Sequence, residues 1–198
     1  MLEKLNKYDI ILASQSPRRQ YLLQELGLKF KIARRALIKE EYPSDLHCTE
    51  IPVYLAINKA QACIDLIKSN TILIAADTIV CLNNEVLDKP DDYKEAFRIL
   101  QKLSGNKHQV ITGICIKSNE REVAFYSKSD VYFRNLTDPE IEYYIKHYKP
   151  FDKAGSYGIQ EWIGYAGIEK IEGSYFNVMG LPTEQLYNEL IKFVETEK

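Results

Sequence analysis

The fold is limited most strongly by an unbroken apolar run at residues 71–76, Thr-Ile-Leu-Ile-Ala-Ala. Such a run fits a strand that is buried on both faces, which occurs where helices cover both sides of a sheet. Other helical and strand-like segments mix along the 198 residues without strict β-α alternation. We therefore predict one α/β domain over 1–198, with a mixed, curved sheet and two lobes.

Hydrophobic spacing and end signals predict the remaining elements. Residues 34–48, which include a proline, are expected to form an irregular loop. Helices are predicted at 17–26, 50–68, 92–103, 137–148 and 182–194, and strands at 8–13, 29–33, 108–117, 122–134, 167–171 and 175–178.

A helix start that favours phosphate is predicted at Ser16-Pro17-Arg18-Arg19. Ser16 is a favourable N-cap residue, and Pro17 suits the first helical position. The free N–H groups of a helix N-terminus favour anions, and each guanidinium can form bidentate bonds to phosphate oxygens. A solvated basic turn is the competing interpretation, because so short a pattern also arises by chance.

Asp77 directly follows the apolar run, at the predicted carboxyl end of its strand. Open α/β sheets build their sites beyond such strand ends. A carboxylate there can hold a divalent metal or activate a water molecule. An aspartate that merely caps a turn with Thr78 fits the local sequence equally well.

Two lysines are candidates for the same cleft. Lys89 precedes a proline, which favours an extended chain, and Lys59 lies beside the apolar stripe of the second predicted helix. Together with Arg18 and Arg19 they would place four positive charges around a triphosphate and its metal. Catalysis at such sites depends mainly on positioning and charge stabilisation. An isolated helix lysine is usually solvated, so neither lysine is diagnostic alone.

Charge, hydropathy and cysteine spacing argue against several classes of protein. The net charge of −2 gives no global basic field for nucleic acid, and no apolar run is long enough to span a membrane. The N-terminus lacks the apolar core of a signal peptide, so no export is predicted. Reduced thiols in a cytosolic protein, without a disulfide framework or a metal finger, are expected for Cys48, Cys63, Cys81 and Cys115.

Two enzyme classes are also disfavoured. Residues 152–160 pass near a serine-hydrolase elbow, but Ala154 replaces its first glycine and no apolar strand precedes it. The P-loop pattern G-x-x-x-x-G-K-[ST] does not occur in the sequence. In the same segment, the amide of Gln160 can donate and accept together, as recognition of a base edge requires. By itself, Gln160 is only a loop glutamine.

Several stretches in register over nearly the whole chain resemble the Maf family of nucleotide pyrophosphatases. They are LASQSPRR (12–19), NKA (58–60), ADTIV (76–80), KP (89–90), LSG (103–105) with His108, TG (112–113), KAGSYGIQ (153–160) and GSYFNVMGLP (173–182). The resemblance implies a fold like that of the inosine triphosphatases, with an elongated mixed sheet flanked by helices and a cleft between two lobes. It also implies hydrolysis of a nucleoside triphosphate to the monophosphate and pyrophosphate. A divalent metal (Mg²⁺ or Mn²⁺), a house-cleaning role and a cytoplasmic homodimer are further implications.

The resemblance also implies residue roles. Asp77 matches the acid/base of the family, and Arg18, Thr78 and Gln160 match positions linked to substrate choice. Tyr-Gly-Ile-Gln ending at Gln160 is typical of the branch that acts on dTTP and UTP. The branch that acts on 7-methyl-GTP usually has Ser-Glu-Gly in that region.

Together, the residues and the resemblance predict a mechanism in which a metal binds the phosphate chain and Asp77 activates water for attack on the α-phosphorus. Cationic side chains would neutralise the departing pyrophosphate, and Ser14 would donate to a phosphate oxygen. The predicted residues are Asp77, Lys59 and Lys89 for catalysis, Ser14, Arg18, Arg19, Thr78 and Gln160 for substrate binding, and Asp77 with Glu40 for the metal.

The sequence departs from the family pattern at three places. The acidic cluster after the second strand reads Leu37-Ile38-Lys39-Glu40, so Glu40 remains, with Glu41 as a replacement ligand. Asp88 stands where glycine usually precedes Lys-Pro. Glu161-Trp162 follow Gln160 where glycine is common, and Trp162 is expected to pack at the dimer interface rather than to cover a base.

Two alternatives remain open at this stage. The reduced acidic cluster favours a non-catalytic nucleotide-binding regulator of septum formation, since family members have been associated with cell division. The presence of Asp77, Lys59 and Lys89 argues against a mere binder. The other alternative is a pyrophosphatase for a modified purine nucleotide such as 7-methyl-GTP, which base preference would distinguish.

Overall fold

The computed structural model of the protein describes residues 2–33 and 40–195, so the departures at Leu37 and Lys39 lie outside the described residues. The helices are α1 (Leu2–Leu5), α2 (Pro17–Glu25), α3 (Ile51–Gln61), α4 (Tyr93–Leu103), α5 (Asp138–Tyr148), α6 (Trp162–Gly167), α7 (Tyr175–Met179) and α8 (Thr183–Glu195). The strands are β1 (Asp9–Leu12), β2 (Phe30–Ile32), β3 (Thr71–Leu82), β4 (Glu85–Val86), β5 (Lys107–Lys117), β6 (Glu122–Phe133) and β7 (Ile168–Glu172).

The described strands form one mixed sheet in the order β2-β1-β3-β5-β6-β7, with β4 paired to the end of β3. β1 is parallel to both β2 and β3, whereas β3, β5, β6 and β7 pair antiparallel. The mixed α/β sheet flanked by helices is therefore confirmed. Among the described helices, none is long and apolar enough to cross a membrane.

Both faces of β3 are covered, as the apolar run predicts. Ile72 and Ile74 pack in a cluster with residues of α2 and α8 on one face. Leu73 and Ala75 pack against α3 on the other. Because side chains alternate along a strand, Asp77 lies on the α3 face and Thr78 on the α2 face.

The prediction that Asp77 lies at the carboxyl end of its strand is wrong. β3 continues to Leu82, and Asp77 lies in its middle, opposite Gly113 of β5. The strand continues because the Asp77 carboxylate is paired with Lys59 of α3 and because an apolar sequence resumes at Ile79. A buried charge with such a partner does not end a strand.

Two other predicted elements differ from the structure. The helix predicted at 50–68 ends at Gln61 and is followed by a short 3₁₀ turn, which leaves Ile64 exposed rather than in the apolar stripe. The strand predicted at 175–178 is helix α7. Ser174 caps α7 by accepting from the Asn177 N–H at 3.3 Å, and Gly180, with φ of 114°, ends it.

The expectation of four reduced thiols is also wrong. Cys48 and Cys81 form a disulfide that joins the segment before α3 to the end of β3, with their Cα atoms 6.5 Å apart. The segment that carries Cys48 folds back onto β3 in an apolar cluster with Ile51 and Ile79, which brings distant cysteines together. Cys63 and Cys115 are buried and outside any disulfide.

Candidate active site

One cavity of about 340 Å³ lies between the start of α2, the end of α3, the middle of β3 and the loop before α6. This volume is within the range of small-molecule sites. All the predicted site residues line this cavity, namely Ser14, Arg18, Arg19, Glu40, Lys59, Asp77, Thr78, Lys89 and Gln160. Residues 63 positions apart in the chain, Ser14 and Asp77, thus meet because β1 and β3 are neighbouring parallel strands.

Four alternating charges form a chain on the α3 side of the cavity. The Lys59 ammonium contacts the carboxylate of Asp77, and it lies 2.6 Å from Oε1 of Glu40. The other oxygen of Glu40, Oε2, lies 2.8 Å from the Lys89 ammonium. Asp77 is buried, so its charge depends on Lys59 for neutralisation.

Glu40 is held in its ionised form. Burial raises the pKa of Glu40, but hydrogen bonds and charge attraction from Lys59 and Lys89 outweigh it and lower the pKa to about 2. Glu40 is therefore an ionised carboxylate near neutral pH. The cavity thus contains two carboxylates that share one ammonium.

Arg19 is the centre of the hydrogen bonds on the α2 side. Its Nε donates to the Gly180 carbonyl at 2.9 Å, Nη1 donates to Ser14 Oγ at 3.2 Å, and Nη2 donates to Thr78 Oγ1 at 2.9 Å. Burial lowers the pKa of Arg19, while the Asp77 charge opposes that shift. A guanidinium has five N–H donors, so two of them remain for a ligand.

The Ser14 and Thr78 hydroxyl groups both accept a hydrogen bond from Arg19, and Ser14 keeps a free donor. Ser14 Oγ accepts from Arg19 and, at 3.3 Å, from the N–H of Ser16, so its own hydrogen remains available for a phosphate oxygen. Ser16 occupies the N-cap position of α2, but its side chain makes no capping bond. Thr78 Oγ1 also lies 2.9 Å from Thr112 Oγ1 on β5.

The other end of the cavity contains two charged residues that were not predicted. Arg18 Nη1 donates to Asp152 Oδ2 at 3.0 Å, and Asp152 Oδ1 accepts from Lys153 at 2.7 Å. Lys153 is buried and also lies 3.1 Å from Glu161 Oε1. The sequence did contain a signal for Asp152 and Lys153 as site residues, because they begin the segment 152–160, which also contains Gln160.

Gln160 lines the cavity and has an unpaired hydrogen-bond acceptor. Its Oε1 is buried and accepts no hydrogen bond from the part of the chain that the structure describes. A buried polar atom without a partner is costly, so a ligand donor at this place would be favourable. Trp162 packs on Tyr143 of the same chain, with ring centroids 5.0 Å apart.

A neutral histidine supports Tyr157, which lines the cavity. His108 Nε2 lies 2.8 Å from Tyr157 Oη, and both rings pack edge-to-face on Phe133. His108 is 1% exposed. Burial lowers its pKa to about 3, although the Asp130 charge opposes that shift.

This burial predicts a pH dependence of stability. Below its ordinary pKa of 6.5, His108 gains a proton in the unfolded chain but stays neutral in the folded protein until about pH 3. The free energy of unfolding should therefore fall by about 1.4 kcal/mol per pH unit between these values as the pH is lowered. Urea unfolding of the protein and of His108→Gln should differ in pH slope by this amount. His147→Gln on α5 is the control, and equal slopes for all three proteins would contradict the assignment.

Asp77 and Glu40 are the residues of this cavity that could hold a divalent cation. Asp77 and Glu40 already meet at one positive charge, and Mg²⁺ is typically bound by one or two carboxylates together with substrate phosphates. Within residues 2–33 and 40–195, no group of three or more His, Cys, Asp or Glu side chains meets to hold a metal ion. Glu41, the expected replacement ligand, is outside the set of cavity-lining residues.

Comparison with known proteins identifies the family. A sequence profile described as "Maf-like protein" matches residues 9–193. The chain belongs to the Maf family. It is 52% identical to a dTTP/UTP pyrophosphatase of Phocaeicola vulgatus, over 97% of this chain and 100% of the relative. It is 50% identical to a dTTP/UTP pyrophosphatase of Porphyromonas gingivalis, over 99% of this chain and 100% of the relative.

Similar solved structures include a nucleoside-triphosphatase described as a dITP/XTP pyrophosphatase, from Mycobacterium abscessus. It has a TM-score of 0.44 and 15% sequence identity, and the match covers 65% of this chain and 75% of that chain.

Proposed function

We propose that this protein hydrolyses dTTP and UTP to the nucleoside monophosphate and pyrophosphate, in a house-cleaning role against non-standard nucleotides. The observation that carries the proposal is a single cavity with cationic side chains around the buried Asp77 carboxylate and an unpaired amide oxygen at Gln160. Relatives named dTTP/UTP pyrophosphatase, identical at half of their positions over their full length, support it.

The chemistry of the Gln160 amide suits uracil and thymine. Both bases carry an N3–H donor next to the O4 acceptor, and an amide offers the complementary acceptor and donor side by side. The unpaired Oε1 would accept from N3–H, while Nε2 would donate to O4. Tyr157, which is buried and lines the same cavity, would contribute an apolar surface for the base.

The cationic side chains suit a triphosphate. Arg18 at the start of α2 (paired with Asp152), Lys59 and Lys89 carry the positive charge that would neutralise the phosphate chain, and Arg19 retains unused donors. Lys59 and Lys89 are paired with Glu40 in the described structure, so substrate binding exchanges these pairs for phosphate contacts. The exchange replaces like with like, because ammonium hydrogen bonds to carboxylate and to phosphate are both charge-assisted.

In the proposed reaction, the Asp77 carboxylate accepts a proton from a water molecule as the water oxygen attacks the α-phosphorus. The bond between the α-phosphorus and the bridging oxygen breaks, and the pyrophosphate leaves with the electron pair. Lys59 holds the Asp77 carboxylate in place, and the cations stabilise the charge on the leaving group. A divalent ion bound by Asp77 and Glu40 would supply further charge neutralisation on the phosphate oxygens.

The proposal also includes a single domain over 1–198, a cytoplasmic location and a homodimer. These three parts rest on the family resemblance alone.

The test is a steady-state assay that detects pyrophosphate and orthophosphate separately. Its substrates are dTTP, UTP, CTP, GTP, ATP and 7-methyl-GTP, with and without Mg²⁺ or Mn²⁺. We expect pyrophosphate from dTTP and UTP. Preference for 7-methyl-GTP would retain the enzyme class but contradict the role of Gln160. Nucleotide binding without turnover would favour the regulator instead.

Gln160→Leu should lower kcat/KM for UTP by about 10- to 100-fold, since two hydrogen bonds to a base edge contribute about 1–3 kcal/mol. The apolar side chain has a similar size but offers neither donor nor acceptor. Gln101→Leu, on the exposed surface of α4, is the matched control and should leave kcat/KM unchanged. An unaltered kcat/KM in Gln160→Leu would remove the base-recognition role.

A further inference from the structure

Glu161, which directly follows Gln160, is held from two sides. Its Oε1 lies 3.1 Å from the Lys153 ammonium, and its Oε2 accepts a hydrogen bond from the hydroxyl of Tyr144 on α5. Lys153 and Tyr144 are buried, at 8% and 0% exposure. The Glu161 carboxylate is therefore fixed by one bond on each oxygen, in a site where a glycine is common in the family.

The same contacts fix the turn that carries Gln160. The Tyr144 hydroxyl accepts from the N–H of Gly158 at 3.0 Å while it donates to Glu161. A Cβ atom on Gly158 would lie 2.9 Å from Glu161 Cδ and 3.1 Å from Gln160 Nε2. The carboxylate of Glu161 and the amide nitrogen of Gln160 thus both lie over this glycine, which has no side chain to separate them.

This arrangement makes the two possible orientations of the Gln160 amide differ in energy. An amide can turn over by 180° and exchange its donor with its acceptor at little steric cost. A nearby carboxylate favours the orientation in which Nε2 is on its side and disfavours the one in which Oε1 is. The observed amide has Nε2 on the Gly158 side, where the Glu161 carboxylate also lies, and Oε1 buried without a partner among the described residues.

The orientation matters because uracil and cytosine present opposite patterns. Uracil and thymine have a donor at N3 and an acceptor at O4, whereas cytosine has an acceptor at N3 and a donor at N4. An amide that pairs with uracil pairs with cytosine after it turns over. Gln160 alone therefore distinguishes the two bases only if another group fixes its orientation.

We propose that Glu161 is a positioning residue that fixes the orientation of the Gln160 amide and thereby makes the site select uracil and thymine over cytosine. The inference rests on the proposed pyrimidine pyrophosphatase activity. Lys153 and Tyr144 take part by holding the Glu161 carboxylate over Gly158.

The test is the ratio of kcat/KM for UTP to kcat/KM for CTP in Glu161→Gln. The substituted amide is neutral, and its single carbonyl oxygen cannot serve both Lys153 and Tyr144 in their present positions. The ratio should fall at least about tenfold, a change of about 1.4 kcal/mol, mainly because CTP becomes a better substrate. Both substrates are measured on one preparation, so partial loss of folded enzyme cancels from the ratio.

Two further variants separate positioning from general stability. Glu140→Gln, the control, removes a carboxylate that is bonded by Arg134 and Thr137 outside the cavity, and it should leave the ratio unchanged. Tyr144→Phe removes one of the two bonds to Glu161 and should lower the ratio by a smaller factor, which gives a second test if Glu161→Gln does not fold.

The outcomes distinguish the inference from the proposed function. If the unmodified protein prefers UTP and both Glu161→Gln and Tyr144→Phe keep its ratio, the positioning role is overturned and the proposed activity stands. If the unmodified protein releases no pyrophosphate from UTP or dTTP, the proposed function and the inference both fall. A lower ratio in Glu161→Gln with an unchanged ratio in Glu140→Gln supports the inference.

Discussion

Replacing Asp77 by asparagine is expected to lower the rate of pyrophosphate release from UTP and dTTP by about 10²- to 10⁴-fold. Asparagine has nearly the same shape and can still accept a hydrogen bond from Lys59, but it cannot take a proton from water. The rate is measured at saturating substrate, together with thermal unfolding to verify that the variant folds.

Asp9→Asn is the matched control for this substitution. Asp9 lies at the exposed start of β1, where it pairs with Lys31 at 2.7 Å, and it is not among the cavity-lining residues. Its replacement should leave turnover unchanged, because surface ion pairs contribute little. Near-native turnover in Asp77→Asn would contradict the mechanism.

Replacing Gly113 by alanine is expected to lower the free energy of unfolding by about 3 kcal/mol or more. A Cβ atom at this position of β5 would lie 2.2 Å from the backbone carbon and oxygen of Pro52, in the first turn of α3. Backbone atoms cannot rotate away as a side chain can, so α3 has to move off the sheet. Urea unfolding measures the loss.

Gly167→Ala provides the control, since its added methyl group would meet side chains and no backbone, with the end of Leu136 at 3.1 Å and Ile163 Cγ1 at an ordinary 3.5 Å. It should cost much less than Gly113→Ala. Because α3 also carries Lys59, the folded fraction of Gly113→Ala should have reduced turnover as well. A loss of stability below about 1 kcal/mol would contradict the tight packing of α3 on β5.

Elements with strong local signals were predictable from the sequence. Asp92 caps α4 by accepting from the Glu95 N–H at 2.8 Å, and Thr137 with Glu140 forms a capping box at the start of α5, which was predicted to begin at 137. β5 and β6 match the strands predicted at 108–117 and 122–134, and they pair antiparallel across a short polar turn. In each case, the interactions that define the element lie within a few residues of one another.

Features that depend on distant partners were not predictable in the same way. β3 passes through Asp77 because Lys59, 18 residues earlier, neutralises the charge. Cys48 and Cys81 pair because the segment before α3 folds onto β3, which spacing in the sequence does not reveal.

The candidate site was predictable only in part. The motifs identified the groups that converge on the cavity, but they did not indicate the chain from Arg18 through Asp152 and Lys153 to Glu161. Such a chain depends on how the loop before α6 lies against α2 and α5. Asp152, Lys153 and Glu161 resemble, in the sequence, ordinary charged loop residues, which are usually solvated.

The most direct test of the proposed reaction is hydrolysis of UTP in water enriched in oxygen-18, followed by mass spectrometry of the products. Attack of an activated water on the α-phosphorus places the heavy oxygen in UMP and leaves the released pyrophosphate unlabelled. Label in pyrophosphate, or formation of UDP with labelled orthophosphate, would mean that another phosphorus is attacked. Either result would contradict the assignment of Asp77 and the surrounding cations to cleavage at the α-phosphorus.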